Sequence, residues 1–217
     1  MKVKICGMTT FNDALAAAES GADMVGFNFY PKSPRYITPM ACASLMLRFC
    51  DQGFSTVAVG IFVNEPVESV WEIMDMCGLQ LAQLHGDESP NELMELGNRA
   101  YKAIRPRTLA EATTLLKQFE GSRTSEPSLL LDTHKMGHYG GTGLRADWKI
   151  ASELARLTPL MLAGGLKPEN VTAALVIVKP WGVDVCSGVE ASPGKKDRKK
   201  VEAFIHAVRE FETENEA

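Results

Sequence analysis

The sequence has no apolar run of the roughly 20 residues that a membrane-spanning helix needs. It also lacks an excess of positive charge, because its formal net charge is −4 at pH 7, so nothing favours nucleic acid or an anionic membrane surface. The N-terminal stretch MKVKICGMTT has neither the apolar core nor the small-residue cleavage site of a secretory signal peptide. We therefore expect a cytoplasmic protein with no membrane and no nucleic-acid partner.

Cysteine is sparse and irregularly spaced. The five cysteines are Cys6, Cys42, Cys50, Cys77 and Cys186, with no C-x-x-C pair among them. This spacing argues against a disulfide framework or a structural zinc site and fits a reducing compartment. There is also no Pro/Ser-rich linker and no change of composition along the chain. With 217 residues, 45% of them hydrophobic, we expect one domain over residues 1–217.

Short apolar runs alternate with segments of helical spacing along the whole chain. A representative helical set is Val67, Val70, Trp71 and Met74, which draws one apolar stripe along a helix. Several runs are β-branched and nearly continuous, as in parallel strands buried on both faces. The eight runs are 3–6, 24–29, 56–63, 79–84, 101–104, 129–131, 160–162 and 183–186. The pattern predicts an α/β fold, a (β/α)8 TIM barrel, with a doubly wound open sheet as the alternative.

In such a barrel the chemistry lies where the strands end, on the face formed by their carboxyl ends. Two glycine-containing pairs stand there, Gly164-Gly165 after the seventh run and Ser187-Gly188 after the eighth. Backbone without side chains can aim N–H groups at an anion, and these two strands carry the phosphate site of many barrels. A tight turn would also use glycine. The two pairs together predict a phosphate site.

Two ionisable groups also follow strands. Cys6 ends the first run just before a helix start at Thr10, so a lowered thiol pKa would suit a base or nucleophile; the alternative is a small buried hydrophobe. Asp132 ends a run of leucines, where an unpaired carboxylate is costly. It either caps the next loop or acts as a catalytic acid whose protonated form is favoured by burial.

Three further segments attract attention. Arg35 lies in a proline-stiffened loop and could grip a carboxylate bidentately or merely be solvated. The glycine-rich segment 133–146 is long enough for a lid, and it contains His134 and His138. Glycine between these histidines and the lack of a third ligand argue against a metal. The basic run 195–200 predicts the solvated start of the last helix.

A set of motifs resembles the phosphoribosylanthranilate isomerase family, in the family's order from end to end of the chain. The motifs are KICGMT at 4–9, GFNFYPKSPRYI at 26–37, QLHG at 83–86, LLLDT at 129–133, GGTG at 140–143, LAGGLKPENV at 162–171 and GVDVCSGVEASPGKKD at 182–197. Two features depart from the pattern. The 133–146 segment carries two histidines, and Cys186 stands where many members have serine.

The resemblance implies a cofactor-free step of tryptophan biosynthesis, the Amadori rearrangement of N-(5-phosphoribosyl)anthranilate to 1-(2-carboxyphenylamino)-1-deoxyribulose 5-phosphate. It implies that Cys6 is the general base, that Asp132 is the general acid and that Arg35 meets the anthranilate carboxylate. It further implies that the phosphate is held by the backbone at Gly164, Gly165, Ser187 and Gly188. The partner is then a phosphorylated small molecule, and no cofactor or metal takes part.

Other functions remain open from the residues alone. A related histidine-pathway isomerase would be expected to have aspartates where this chain has Cys6 and Arg105, and indole-glycerol-phosphate synthase would want lysines and glutamates at strand ends. A barrel that only binds a phosphorylated ligand would have no use for Cys6 opposite Asp132. The sequence assigns no role to Asn28, Gln83 or His85. We expect a monomer, with a homodimer as the alternative.

Overall fold

The computed structural model describes residues 1–119, 127–132 and 147–216. Among these residues, eight parallel strands form a closed barrel in chain order. β1 pairs with β8 as well as with β2, so the sheet has no edge, which confirms the predicted TIM barrel and rules out the open sheet. The strands are β1 (Lys2–Cys6), β2 (Met24–Asn28), β3 (Val57–Phe62), β4 (Leu81–Leu84), β5 (Ala100–Ile104), β6 (Leu129–Leu131), β7 (Leu160–Leu162) and β8 (Gly182–Val185).

Each barrel strand is followed by a helix in the described part of the chain. The helices are α1 (Phe11–Glu19), α2 (Pro39–Cys50), α3 (Val67–Cys77), α4 (Pro90–Leu96), α5 (Leu109–Phe119), α6 (Trp148–Ala155), α7 (Val171–Val178) and α8 (Arg198–Glu216). Between β8 and α8 the chain forms a short 3-10 helix, Ser187–Val189, and an antiparallel pair, β9 (Glu190–Ser192) and β10 (Lys195–Lys196). This extra pair lies at the end of the barrel where the strands finish.

The helix starts follow the capping residues of the sequence. The Thr10 side chain accepts a hydrogen bond from the Asp13 backbone N–H, and Ser89 forms a capping box with Glu92. Pro39 is the first residue of α2, where a missing N–H leaves no helical acceptor unpaired. These contacts fix where each helix begins, and therefore how long each connecting turn can be.

Apolar side chains form two buried layers. The larger one packs the outer faces of the strands against the helices, and it includes Val3, Val25, Leu129 and Phe204. Burying such a side chain fully stabilises a protein by about 1.5–3 kcal/mol. The smaller layer fills the barrel interior with Met24, Val59, Tyr101, Ala103, Leu130, Met161 and Ala163. The interior is thus filled by side chains, and ligand space is left only at its ends.

The basic run 195–200 is only in part the solvated start of the last helix that the sequence predicts, because this description fits residues 198–200 but not residues 195–197. Lys195 and Lys196 form β10, and α8 begins at Arg198. Lys196 is buried, and its ammonium group is paired with the Glu190 carboxylate at 3.1 Å, a partner that helical spacing does not reveal.

Three other expectations concern membranes, metals and the glycine-rich loop. No helix in the described part of the chain is both long and apolar enough to cross a bilayer. Residues 133–146, with His134 and His138, lie outside the described residues. The described residues hold no cluster of histidine, cysteine and carboxylate side chains that could bind a metal ion.

Candidate active site

A cleft opens where the barrel strands end. Six of the seven residues that the sequence pointed to contribute to its walls: Cys6, Arg35, Asp132, Gly164, Gly165 and Ser187. Asn28, Gln83 and His85, whose roles the sequence left open, line it too. Gly188 does not, because it is packed behind the wall against the turn that follows β7. A Cβ atom on Gly188 would lie 1.9 Å from the Leu166 carbonyl oxygen.

Two thiols meet at the point where the barrel closes. Ile5 of β1 pairs with Val185 of β8, so the next residue on each strand, Cys6 and Cys186, stands at neighbouring strand ends. Their side chains hydrogen-bond to each other. The Lys196 ammonium group lies 3.8 Å from the Cys186 sulfur. The cleft therefore has a pair of interacting thiols where the sequence predicted a single cysteine.

The two thiols titrate as one coupled unit. The hydrogen bond to Cys186 and burial raise the pKa of Cys6 well above its ordinary value, against the opposing charge of Lys4. The hydrogen bond from Cys6 and the positive charges of Lys196 and Arg35 lower the pKa of Cys186 to about 7, against burial. The first proton is therefore lost near neutral pH, and the negative charge is centred on Cys186.

The expectation of a lowered pKa at Cys6 itself is wrong, because its pKa is raised. The nearest helix, α1, begins only at Phe11, and the field of a helix N-terminus falls off within about one turn. The neighbouring thiol and burial act over shorter distances and dominate. One thiol of the pair does have a lowered pKa, but it is Cys186, which lies nearer the positive charges of Lys196 and Arg35.

Asp132 lies directly after β6 and is buried to 7% exposure. Its Oδ2 atom is 3.2 Å from Nε2 of His85, which follows β4 and is also buried. The Nδ1 atom of the same imidazole is 2.6 Å from the side-chain amide nitrogen of Gln83. The imidazole thus connects the carboxyl group in the cleft to the polar interior of the barrel.

Arg35 is buried and already paired. Its Nε and Nη2 atoms donate to the two oxygens of Glu190 at 3.0 and 2.8 Å. Burial alone would raise the pKa of Glu190, but the hydrogen bond and charge of Arg35 and the charge of Lys196 lower it. The same carboxylate accepts from the Gly194 backbone N–H at 3.1 Å. The predicted bidentate edge of Arg35 is therefore used by Glu190, and a ligand carboxylate must meet the guanidinium along another edge.

The two turns of the predicted phosphate site lie side by side at the ends of β7 and β8. Gly164 and Gly165 have φ values of +89° and +64°, which residues with side chains rarely adopt. The close approach of Gly188 to Leu166 brings the turn after β8 against the turn after β7. Glycine at these positions leaves backbone N–H groups uncovered, as anion sites require.

Comparison with known proteins gives the same family as the sequence motifs. The model of the N-(5'-phosphoribosyl)anthranilate (PRA) isomerase family matches residues 3–207. The chain belongs to the phosphoribosylanthranilate isomerase family. It is an isomerase of tryptophan biosynthesis, as its curated relatives are.

Relatives of this isomerase align over nearly their whole length. The N-(5'-phosphoribosyl)anthranilate isomerase of Syntrophus aciditrophicus is 44% identical over 99% of this chain and 92% of its own. That of Magnetococcus marinus is 46% identical over 96% and 95%. The solved isomerase of Thermotoga maritima superposes with a TM-score of 0.85 at 36% identity, covering 97% of this chain and 99% of that one.

Sequence reasoning missed the charged groups that connect the strands beneath the cleft. Lys4 and Cys6 are two residues apart on β1, and Asp184 and Cys186 are two apart around the end of β8, so each pair shares the inner face. The presence of a lysine and an aspartate inside apolar strands, Lys4 in β1 and Asp184 in β8, could have indicated this pair from the sequence. The Lys4 ammonium lies 3.0 Å from the Asp184 carboxylate, and both side chains are buried. Nothing in the sequence pattern indicated the ion pair between Glu190 and Arg35.

Proposed function

We propose that the isomerase converts N-(5-phosphoribosyl)anthranilate to 1-(2-carboxyphenylamino)-1-deoxyribulose 5-phosphate, with Asp132 as general acid and Cys6 as general base. The observation that supports this most is that both side chains line one cleft from separate sides. Cys6 ends β1 and Asp132 directly follows β6, with β7 and β8 between them around the ring. A substrate carbon chain placed across the cleft would have an acid on one side and a base on the other.

The acid acts first in this scheme. Asp132 donates its proton to the furanose ring oxygen, the bond from that oxygen to C1′ breaks, and the anthranilate nitrogen forms a double bond to C1′. The resulting iminium makes the hydrogen on C2′ acidic. Substrate and product have the same atoms, so proton transfers alone account for the reaction.

The base then removes the C2′ proton. The electron pair forms a C1′–C2′ double bond while the C=N electrons return to nitrogen, and the enolamine becomes the ketone when its C2′ hydroxyl loses a proton and C1′ gains one. Because Cys6 holds the proton of the singly ionised thiol pair, Cys186 first takes that proton and leaves a Cys6 thiolate facing the substrate. The base is in this sense a two-thiol unit, with Cys6 as its reacting member.

A phosphate and a carboxylate would hold the two ends of the substrate. The backbone at Gly164, Gly165, Ser187 and Gly188 would bind the phosphate, and Arg35 the anthranilate carboxylate. A solved relative, 36% identical, is a complex with reduced 1-(o-carboxyphenylamino)-1-deoxyribulose 5-phosphate. Binding energy from these remote groups orients the reacting carbons between acid and base.

The assay is the fluorescence change of the anthranilate group as purified protein turns over phosphoribosylanthranilate. The proposal requires turnover by the protein alone, at a rate set by enzyme concentration. Tight binding of a product analogue without any turnover would instead make the chain a binding protein, and the acid–base assignment would fail.

We expect inorganic phosphate to inhibit the isomerase weakly and competitively, because it would occupy the same backbone N–H groups as the substrate phosphate. Gly188→Ala is expected to raise KM by roughly tenfold or more, since its Cβ would displace the Leu166 turn and cost at least one charge-assisted contact. Steady-state kinetics and a phosphate-soaked crystal measure both effects.

The exposed Lys199 provides the control for the phosphate site, because it belongs to the basic run 195–200. Lys199→Ala is expected to leave KM unchanged. An anion bound beside residues 195–200, or a KM that responds to Lys199→Ala and not to Gly188→Ala, would contradict the assignment of the glycine turns.

Arg35→Ala is expected to raise KM by roughly 10- to 100-fold, because a hydrogen bond to a charged group is worth about 1.5–3 kcal/mol. Arg35→Lys should recover only part of this loss, since an ammonium group cannot pair with Glu190 and a ligand carboxylate in the same way. Glu190→Gln keeps the Arg35 guanidinium and weakens the contact that holds it in place. This variant therefore separates the positioning of Arg35 from its binding of the carboxylate. Unchanged KM and kcat in both Arg35 variants would reduce Arg35 to a loop residue.

The cytoplasmic location also remains a proposal. Support comes from the five irregularly spaced cysteines without a C-x-x-C pair, which argue against a disulfide framework. For the oligomeric state we keep the monomer, with the homodimer as the alternative; one solved Thermotoga maritima relative is described as dimeric. Sedimentation of the purified chain distinguishes these states.

A further inference from the structure

A chain of buried polar side chains runs through the barrel interior beneath the cleft. The side-chain oxygen of Gln83 accepts hydrogen bonds from the Lys4 ammonium and from the Tyr101 hydroxyl, each at 2.9 Å. Gln83, Lys4 and Tyr101 are at most 1% exposed. These side chains come from β4, β1 and β5, so the bonds tie three strands of the barrel to one amide group.

The orientation of the Gln83 amide follows from its partners. Burial by itself lowers the pKa of Lys4, but the Asp184 carboxylate 3.0 Å away raises it above its ordinary value, so the group stays an ammonium. An ammonium group can only donate hydrogen bonds. The amide atom that faces Lys4 must therefore be the oxygen, and the amide NH₂ must face His85.

The same logic fixes the proton on His85. The Gln83 nitrogen lies 2.6 Å from His85 Nδ1 and can only donate, so Nδ1 must be the acceptor. A neutral imidazole then carries its proton on Nε2, 3.2 Å from Asp132 Oδ2. Among the described residues no acceptor is aligned with this buried N–H. A small rotation of the imidazole or the carboxyl group would align it with Asp132.

We propose that Gln83 is a positioning residue for the acid step: with its side-chain oxygen fixed by the Lys4 ammonium, it locks His85 as the Nε2–H tautomer, so that His85 presents a donor to Asp132. This proposal rests on the general-acid role of Asp132 described above. In the other tautomer, the Nε2 lone pair would accept the proton of Asp132 and withhold it from the ring oxygen. In the locked tautomer, Nε2 carries a hydrogen and has no lone pair that could take this proton.

The fixed tautomer of His85 also stabilises the Asp132 carboxylate that the proton transfer leaves behind. Once Asp132 has given up its proton, the new carboxylate faces an N–H group that was in place beforehand. Hydrogen bonds to an ionised acceptor are roughly twice as strong as neutral ones, so the contact strengthens as the negative charge develops. Gln83 thus acts on the rate through His85, without touching the substrate's reacting atoms.

Gln83→Glu tests the lock with almost no change of volume. Both carboxylate oxygens accept, so His85 Nδ1 would need a proton where it now needs a lone pair. We expect kcat to fall by roughly 10- to 100-fold with KM within a few-fold, the size of effect seen when a group that orients a functional histidine is removed. Gln83→Met, which removes the donor and keeps the side-chain length, is expected to lower kcat in the same direction.

Tyr101→Phe is the matched control, because it deletes one hydrogen bond of the same network while Lys4 still fixes the amide. We expect its kcat to stay within a few-fold of the unsubstituted protein. Thermal midpoints of all three variants show whether each is folded. Loss of activity in Tyr101→Phe equal to that in Gln83→Glu would mean that the network acts only through stability, and would overturn the proposal.

A double-variant cycle separates this proposal from the acid role itself. If Gln83 acts through Asp132, then Gln83→Glu should add little to the loss already caused by Asp132→Asn. If the losses of kcat in the two single variants instead multiply in the double variant, Gln83 acts independently of Asp132 and the proposal is overturned. Full activity of Asp132→Asn would instead overturn the acid role, on which the proposal rests.

Nitrogen NMR of the histidines gives a readout that a purely structural role would not produce. The chain has four histidines, and the His85→Gln variant identifies the signals of His85. We expect Nδ1 of His85 to be the bare nitrogen and Nε2 the protonated one at neutral pH, and this pattern to change in Gln83→Glu. A proton on Nδ1 in the unsubstituted protein would contradict the lock.

Discussion

Cys6→Ala is expected to lower kcat by roughly 10²- to 10⁴-fold, the usual contribution of a positioned general base, while KM stays within a few-fold. The fold should survive, because the packing around the strand end depends on the apolar side chains of β1, which are unchanged. Cys6→Ser should be nearly as damaging, since a hydroxyl ionises far too weakly to accept the C2′ proton. Steady-state turnover of folded variants, checked by thermal midpoint, measures this effect.

The pH profile distinguishes a base from a packing residue. In the unsubstituted protein kcat/KM should rise with pH through about 7, because the thiol pair loses its first proton where the pKa of Cys186 lies. Cys6→Ala should lose this acidic limb. Cys186→Ser should move the limb to higher pH, because Cys6 would then ionise in a buried site without the partner thiol that now carries the charge.

The Cys42 and Cys77 pair is the matched control for the thiols of the cleft. These two side chains also hydrogen-bond to each other, and they lie on α2 and α3 away from the cleft. Cys77→Ala should leave kcat and the pH profile unchanged. Full activity in Cys6→Ala, or equal losses in Cys77→Ala and Cys6→Ala, would end the thiolate-base mechanism.

Asp132→Asn is expected to lower kcat to a similar extent, since the amide has the shape of the carboxyl group but no proton acidic enough for the ring oxygen. The side-chain oxygen of asparagine can still accept from His85 Nε2, so the variant should fold normally. A kcat equal to that of the unsubstituted protein would remove Asp132 from the mechanism.

The exposed Asp51, at the C-terminal end of α2, is the control for this substitution. Asp51→Asn makes the same chemical change far from the cleft and should leave kcat and the acidic limb of the profile unchanged. A loss in Asp51→Asn as large as that in Asp132→Asn would mean that charge removal in general, rather than the acid role, explains the result.

The barrel and most of the cleft were predictable because their causes are local in the sequence. Continuous apolar runs form strands that are buried on both faces, and capping residues such as Thr10 and Ser89 start the helices. The residue after each strand then lies on one common face of the barrel. Cys6 and Asp132 follow directly from that rule. The glycine turn after β7 does as well, because its positive φ values require glycine.

The remaining features depend on contacts between residues far apart in the chain. Closure of β8 onto β1 brings Cys186 to Cys6, and this moves the lowered pKa from the expected thiol to its neighbour. Glu190 reaches Arg35 only because the chain continues past β8 into β9. The residue spacing within a single strand or helix predicts neither contact, so both could be found only from the three-dimensional structure.

A crystal structure with a reduced product analogue tests the central claim most directly. The phosphate should lie against Gly165 and Ser187, the aromatic carboxylate at Arg35, and the former ring carbons between the two reacting groups. Asp132 should lie within hydrogen-bond reach, about 2.6–3.2 Å, of the oxygen that leaves C1′. The Cys6 sulfur should face C2′ from the other side of the carbon chain. An analogue bound with both groups on one side of that chain, or outside the cleft altogether, would contradict the mechanism.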